Sequence, residues 1–184
     1  METTLKKQGE LNMNQNSKIK KLVYSAIAAA LYVVLTVAIA PLSYQAVQFR
    51  FSELLVFLAW IDPWYIPGLT LGCFIANLFG PFGIADAVGG SLATLFAVSM
   101  MAVSAKGIKK PFPSLAVASL WPAVSALIIA FEIVFFTGAE ESYWYWAAMI
   151  AIGQFGVVSV CGVPLMYRIV KKHKKLIQIL TIKE

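Results

Sequence analysis

The amino-acid sequence predicts an all-α, polytopic membrane protein with six transmembrane helices and with both its N- and C-termini in the cytoplasm. The first observation is composition: of 184 residues, 60% are hydrophobic and 13% are charged, whereas about a quarter of an ordinary soluble chain is charged. The second is a series of apolar runs separated by prolines and glycines, and the third is the placement of the basic residues. Lipid is therefore the expected solvent, because a soluble domain of this length has too little interior to bury so much apolar surface.

The N-terminal region combines a polar stretch with the first apolar run. Residues 1–21 show no apolar periodicity, so we expect a mostly disordered cytoplasmic arm. The run from Leu22 to Leu42 is about 20 residues, or roughly 30 Å as a helix, which is enough to cross a bilayer. A basic start and the sequence Ala38-Ile39-Ala40 are also typical of a signal peptide. The run is long for a signal peptide, however, and further apolar runs follow at once.

Five further apolar runs complete the predicted membrane domain. The first four of them end next to a proline or a glycine, as expected where a chain turns. The run that starts at Phe51 is short, so we expect residues before it to help it cross the bilayer. The runs are Phe51–Ile61, Trp64–Phe79, Ala85–Ala105, Ser114–Phe136 and Ser142–Val170. The predicted organisation is a cytoplasmic arm at 1–21, a six-helix membrane domain at 22–170 and a basic cytoplasmic tail at 171–184.

The basic residues test the number of helices. Six spans that start in the cytoplasm place 14 of the 15 lysines and arginines inside: five in the arm, three after the fourth span and six from Arg168 onward. Only Arg50 is left outside, and the acidic Glu140 and Glu141 fall in an outer loop. Five or seven spans would place a basic block on the wrong side, against the usual cytoplasmic excess of positive charge.

Several classes of function are disfavoured. The basic residues lie in short blocks beside apolar segments, where anionic headgroups attract them, so we expect no nucleic-acid partner. Cys73 and Cys161 lie in apolar runs and the single histidine, His173, lies in the lysine-rich tail, which disfavours a disulfide framework or a metal site. The motifs GxxxxGK[ST], HExxH and GxSxG are absent. We expect no catalytic residue, no metal, no cofactor and no ATP binding by this chain.

The polar residues of the membrane domain collect at its outer side in this topology. An ionisable group at mid-membrane costs about 2.5 to 3.5 kcal/mol on insertion scales, so each one needs a reason. Carboxylates, amides and an arginine beside aromatic rings suit a planar, hydrogen-bond-rich ligand in a cavity that opens to the outside. The candidate substrate-binding residues are Glu132, Asp86, Asn77, Gln48, Arg50, Glu53, Gln154, Phe49, Tyr44 and Trp144.

Some of these residues also have structural interpretations. Asp86 suits the N-terminus of a helix, where negative charge is favoured, and Arg50 and Glu53 are three residues apart and can pair with each other. Trp144 suits an interfacial aromatic belt. A structural role explains Asn77 and Glu132 least well.

Small residues in the first span suggest a packing surface. Ala26 and Ala30 are four residues apart, a spacing that lets another helix approach closely. That helix can belong to this chain or to a partner.

The chain resembles a family of membrane transport proteins. It is similar to the substrate-binding S components of energy-coupling-factor (ECF) transporters, and within them to the QueT type assigned to queuosine precursors. The resemblance covers roughly residues 20–170. The stretches that carry it are Val47–Glu53, Ile66–Leu78 and Asp86–Leu95.

The resemblance implies a function and a set of partners. The chain would be the membrane-embedded, substrate-binding subunit of an ATP-driven importer in a bacterial cell membrane. It would capture a 7-deazaguanine, such as preQ1 or preQ0, from the outside and topple to carry it inward. The face with Ala26 and Ala30 would dock on a shared transmembrane T subunit, and two separate ATPase subunits would supply the energy.

The chemistry of a 7-deazaguanine adds expectations about the residues that contact it. A deazaguanine presents adjacent N–H donors that a carboxylate can accept in a two-point arrangement, and preQ1 also carries a cation. We expect Glu132 and Asp86 to contact the ligand. The alternatives are an S component for another vitamin, a self-sufficient small secondary transporter and a membrane enzyme. The last two are disfavoured because the inner half lacks a continuous polar path and no nucleophile–base pair stands out.

Overall fold

The structure, a computed structural model, describes residues 2–45 and 47–182, and all regular elements in these ranges are helical. The prediction of an all-α fold is therefore confirmed. Two 3-10 helices, Phe51–Val56 and Pro63–Tyr65, lead into α3 and α4, and a π-helix, Phe155–Gly162, joins α8 to α9. The α-helices are α1 (Glu2–Val37), α2 (Ala40–Ser43), α3 (Phe57–Ile61), α4 (Ile66–Asn77), α5 (Ile84–Gly107), α6 (Pro111–Ala118), α7 (Leu120–Thr137), α8 (Tyr143–Gln154), α9 (Val163–Lys172) and α10 (Lys174–Leu180).

Four helical segments within the described residues are long and apolar enough to cross a membrane. They are Ser17–Val37, Ile84–Gly107, Pro111–Phe136 and Tyr143–Lys172, and they correspond to the first, fourth, fifth and sixth predicted spans. The second and third predicted spans form shorter helices. The 12 residues of α4 extend only about 18 Å, against a hydrocarbon core of about 30 Å. The count of six spans and the cytoplasmic placement of the termini stay predictions.

The first helix is longer than the sequence indicated. It begins at Glu2, so the structure gives a helical backbone to a stretch that we expected to be mostly disordered. The physical reason is that extending an existing helix adds one hydrogen bond per residue without a second nucleation step. The side of the membrane on which this stretch lies stays a prediction.

Helices α1 and α4 pack closely through glycine. A Cβ at Gly68 would lie 2.1 Å from the Ser25 carbonyl oxygen, and one at Gly72 would lie 2.8 Å from the Ala29 carbonyl oxygen. Side chains at these two positions would therefore push the helices apart. Ala26 and Ala30 lie on a different face of α1 and are exposed, so they are not the internal packing surface.

The order of helix contacts determines where the polar residues meet. Helix α4 packs on α1 and α5, α5 packs on α7, and α7 packs on α8. The end of α4, the start of α5 and the last turns of α7 carry Asn77, Asp86 and Glu132. Apolar contacts hold these helices, with one buried cluster around Tyr32, Leu69 and other residues and a second between α5, α7 and α8.

Candidate functional site

Asp86 lies in the first turn of α5 and organises the connection from α4. Its Oδ2 accepts a hydrogen bond of 3.1 Å from the Phe82 backbone N–H. A Cβ at Gly80 would lie 2.5 Å from that same oxygen, so a side chain there would push the Asp86 carboxyl aside. The structural interpretation of Asp86 at a helix start is thus part of its role, and the side chain also lines a cleft described below.

Asn77 joins α4 to α5 and is only 1% exposed. Its Nδ2 donates to the Asp86 backbone carbonyl at 2.9 Å and contacts the Cys73 sulfur at 3.4 Å. A Cβ at Gly90 would lie 2.1 Å from Nδ2, so the amide occupies the space that this glycine leaves open. The other amide atom, Oδ1, is buried and has no hydrogen-bond partner among the described residues.

Glu132, on α7, is the least explained polar side chain of the site. It is 3% exposed, and neither carboxyl oxygen has a donor among the described residues. Its neighbouring polar group is the Asp86 carboxyl. Two adjacent carboxyl groups need a shared proton or an external donor, because a buried charge without a partner is costly.

The connection between α2 and the 3-10 helix Phe51–Val56 forms a lid beside Asp86. Arg50 Nε donates to the Ser43 carbonyl at 3.0 Å, and the guanidinium lies 5.5 Å from the centre of the Tyr44 ring. The Tyr44 hydroxyl donates to the Ala76 carbonyl at 2.6 Å. Gln48 has a φ of 44°, a conformation that is uncommon for residues other than glycine. These contacts tie the lid to α4.

A small cleft of about 80 Å³ lies between the lid and Asp86. Glu132 does not line it, and lines instead a largely apolar pocket of about 390 Å³ between α5 and α7. Four of the predicted site residues line the small cleft, and together they supply an aromatic ring, an amide, a guanidinium and a carboxyl group. The lining residues are Tyr44, Gln45, Gln48, Arg50, Pro81, Phe82, Asp86, Ile133 and Trp146.

Glu53 lies deeper and bonds to a residue that we did not predict. The Tyr32 hydroxyl donates to Glu53 Oε1 at 2.5 Å, and both side chains are buried. Arg50 donates to a backbone carbonyl instead. The two charged residues that the sequence allowed to pair therefore have different hydrogen-bond partners.

The remaining predicted residues are more dispersed. Gln154 is 5% exposed, and its Oε1 has no partner among the described residues. Phe49 is 41% exposed, and its ring lies 3.7 Å from the position of a Cβ at Gly156. Trp144 is 72% exposed and stacks edge-on against Tyr143. The structure does not bring Phe49 or Trp144 to the cleft, and Trp144 matches the aromatic-belt interpretation. Four more predicted residues also lie outside the lining of the cleft: Glu53, Asn77, Glu132 and Gln154.

Sequence reasoning missed Tyr32 and did not include Trp146 among the candidate residues. Trp146 lines the cleft, and its indole nitrogen is buried without a partner among the described residues. A signal for Tyr32 was available, because it is a hydroxyl-bearing side chain within the first apolar run. No local signal separates Trp146 from Trp144, since only the packing of α8 decides which of them faces inward.

Comparison with known proteins identifies the family. The sequence model of the QueT transporter family matches residues 22–171. The chain is also 30% identical, over 167 residues, to the "Queuosine precursor transporter QueT" of Lactococcus lactis subsp. cremoris (strain MG1363), covering 86% of this chain and 96% of that protein. No solved structure matches this chain significantly. The resemblance that the sequence suggested is confirmed, and this membrane protein belongs to the QueT transporter family.

Proposed function

We propose that this chain transports a queuosine precursor, a 7-deazaguanine such as preQ1 or preQ0, by capturing it at the outer side of the membrane. The observation that carries the proposal is a set of five buried acceptor oxygens without donors among the described residues. They are Gln48 Oε1, Asn77 Oδ1, Glu132 Oε1, Glu132 Oε2 and Gln154 Oε1. A ligand that is rich in N–H donors is the natural complement to such a set. The name of the Lactococcus lactis relative gives the substrate class.

Energetics support a ligand rather than a purely structural role. A buried polar group without a hydrogen bond costs about 1–3 kcal/mol, so several of them together are expensive to keep. A ligand whose N–H groups pair with these oxygens would recover that cost on binding. The free protein would thus present unpaired acceptor oxygens to a ligand with N–H donors. A purely apolar molecule would leave these oxygens unpaired.

The chemistry of the cleft fits the rest of a deazaguanine. In this proposal Asp86, which lines the cleft, and Glu132, its neighbour, accept from the donor edge, or from the aminomethyl cation of preQ1, in charge-assisted hydrogen bonds. The indole N–H of Trp146, which has no partner in the part of the chain that the structure describes, and the guanidinium of Arg50 offer donors for the ligand carbonyl. The ring of Tyr44, beside the cleft, offers a face for stacking.

We further propose that the chain is the S component of an ECF importer in a bacterial cell membrane, with both termini cytoplasmic. Ala26 and Ala30 are exposed, and the larger side chains of Leu22 and Ile27 near them are 71% and 50% exposed. Small residues permit close helix approach in a membrane, so this face suits docking of a T subunit. Two ATPase subunits would then drive uptake, and toppling would carry the ligand inward.

Calorimetry with the detergent-purified chain tests the substrate. We expect saturable binding of preQ1 or preQ0 and no binding of guanine or riboflavin. Glu132→Gln and Asp86→Asn should weaken binding, whereas Glu140→Gln, at an exposed position, should not. A folded, monodisperse sample that binds no deazaguanine would refute the substrate and direct the search to other vitamins.

Co-purification tests the ECF role separately. We expect the chain to purify with a T subunit and two ATPases, and Ala26→Trp/Ala30→Trp to abolish that complex while ligand binding persists. Ion-driven uptake by the reconstituted chain alone would instead establish a secondary transporter.

A further inference from the structure

The C-terminal segment folds back on the turn between α3 and α4. His173 interrupts the helix between α9 and α10 with a φ of −119° and a ψ of 54°. The Tyr65 hydroxyl donates to the Leu180 carbonyl at 3.0 Å, and the Ile182 backbone N–H donates to Asp62 Oδ2 at 2.8 Å. Ile182 is 4% exposed. These contacts hold α10 against the body of the protein, so the space beneath it is a defined cavity.

That cavity is apolar and has a volume of about 230 Å³. It lies between α3, the π-helix, α9 and α10, and its lining includes Leu54, Leu58, Leu165, Met166, Leu176 and Leu180. Every lining residue is apolar or glycine. Water finds no hydrogen-bond partners among such side chains, so the cavity suits a hydrocarbon chain.

A basic cleft adjoins the apolar cavity at Leu176, which lines both. Lys171, Lys172, Lys174 and Lys175 surround the cleft together with His173. The four lysines are exposed, and no acidic residue is among the described residues that line the cleft. Clusters of lysine next to membrane helices attract anionic headgroups.

We propose that this two-part site binds one anionic phospholipid, with an acyl chain in the apolar cavity and the phosphate on the lysine cluster. Both halves of the site, the apolar cavity and the lysine cluster, are needed to specify the class of ligand. A soluble anion would leave the 230 Å³ cavity unfilled, and a zwitterionic lipid would gain less from four lysines. The bound lipid contacts α9 and α10 at once, so it stabilises the folded-back position of the C-terminal segment.

The headgroup half is tested by native mass spectrometry of the full-length protein in detergent. Phosphatidylglycerol is compared with phosphatidylcholine of the same acyl chains. We expect Lys174→Ala/Lys175→Ala to weaken phosphatidylglycerol binding about 30-fold, from the typical contribution of each lysine at an anionic membrane surface. The matched control is Lys109→Ala/Lys110→Ala, which removes the same charge from another exposed basic pair and should leave binding unchanged. Equal binding of the two lipids, or equal loss in both double variants, would overturn the proposal.

The acyl-chain half needs a variant that keeps every lysine. Leu176→Trp fills the cavity and should reduce phosphatidylglycerol binding roughly tenfold, the effect of excluding about two CH₂ groups of the acyl chain. Val103→Trp, at a lipid-accessible position of α5 that is 59% exposed, should not reduce binding. A lysine effect without a Leu176→Trp effect would mean adsorption of headgroups to a charged surface and would refute a built lipid site.

Discussion

Replacing Gly89 by alanine tests the most specific geometric feature of the site. Gly89 lies on α5 opposite the Glu132 carboxyl, and a Cβ there would lie 2.0 Å from Oε2, 2.4 Å from Cδ and 2.6 Å from Cγ. Ordinary van der Waals contact begins at 3.4 Å, so the carboxyl oxygen must move by about 1.4 Å. The substitution therefore displaces Glu132 without changing its charge or chemistry.

The expected magnitudes separate binding from stability. A displaced carboxylate loses a charge-assisted hydrogen bond to the ligand, which is worth about 1.5–3 kcal/mol, or roughly a 10- to 100-fold increase in Kd. The free energy of unfolding should change little, because alanine favours a helix over glycine by about 1 kcal/mol and this gain offsets the cost of moving Glu132.

The assay is calorimetric titration of Gly89→Ala with preQ1 and preQ0, alongside thermal unfolding. Gly107→Ala is the matched control, since it lies at the end of the same helix and a Cβ there meets nothing within 4 Å. It should bind the ligand as the wild-type chain does. If Gly89→Ala also binds normally while remaining folded, Glu132 does not contact the ligand and the proposed acceptor site is refuted.

Three further predictions concern the architecture around the site. Tyr32→Phe removes the hydrogen bond to the buried Glu53 carboxyl and should lower the free energy of unfolding by about 1.5–3 kcal/mol; an unchanged thermal midpoint would contradict this. In Gly153→Ala the new Cβ would meet the Val47 carbonyl at 1.6 Å, so the lid must move, and we expect a large loss of deazaguanine binding by calorimetry. Asp62→Leu removes the acceptors of the Trp64 and Ile182 backbone N–H groups and should speed amide exchange in α10, with no change expected in α7.

Much of the architecture follows from the sequence because lipid exposure imposes long apolar runs. Four predicted spans coincide with helices long enough to cross a membrane, since an apolar run of about 20 residues in lipid must satisfy its backbone by forming a helix. Asn77, Asp86 and Glu132 were predicted as site residues for a related reason, because polar groups stand out in an apolar chain. The stretches Val47–Glu53 and Ile66–Leu78 carried the family, which an independent match over residues 22–171 confirms.

The arrangement of the side chains required the tertiary structure. Glu53 bonds to Tyr32, 21 positions earlier, and not to Arg50, because of how α1 packs. The three-residue spacing between Arg50 and Glu53 cannot reveal that packing. The choice of Trp146 over Trp144 at the cleft depends on the rotation of α8. The acceptor-rich character of the candidate site depends on which buried oxygens lack donors among the described residues, and that is a property of several helices together. Sequence thus determined the membrane-protein class, the four long apolar helices and the family, because these depend on local composition. Tertiary packing decided the site, because its hydrogen bonds join residues that are distant in the chain.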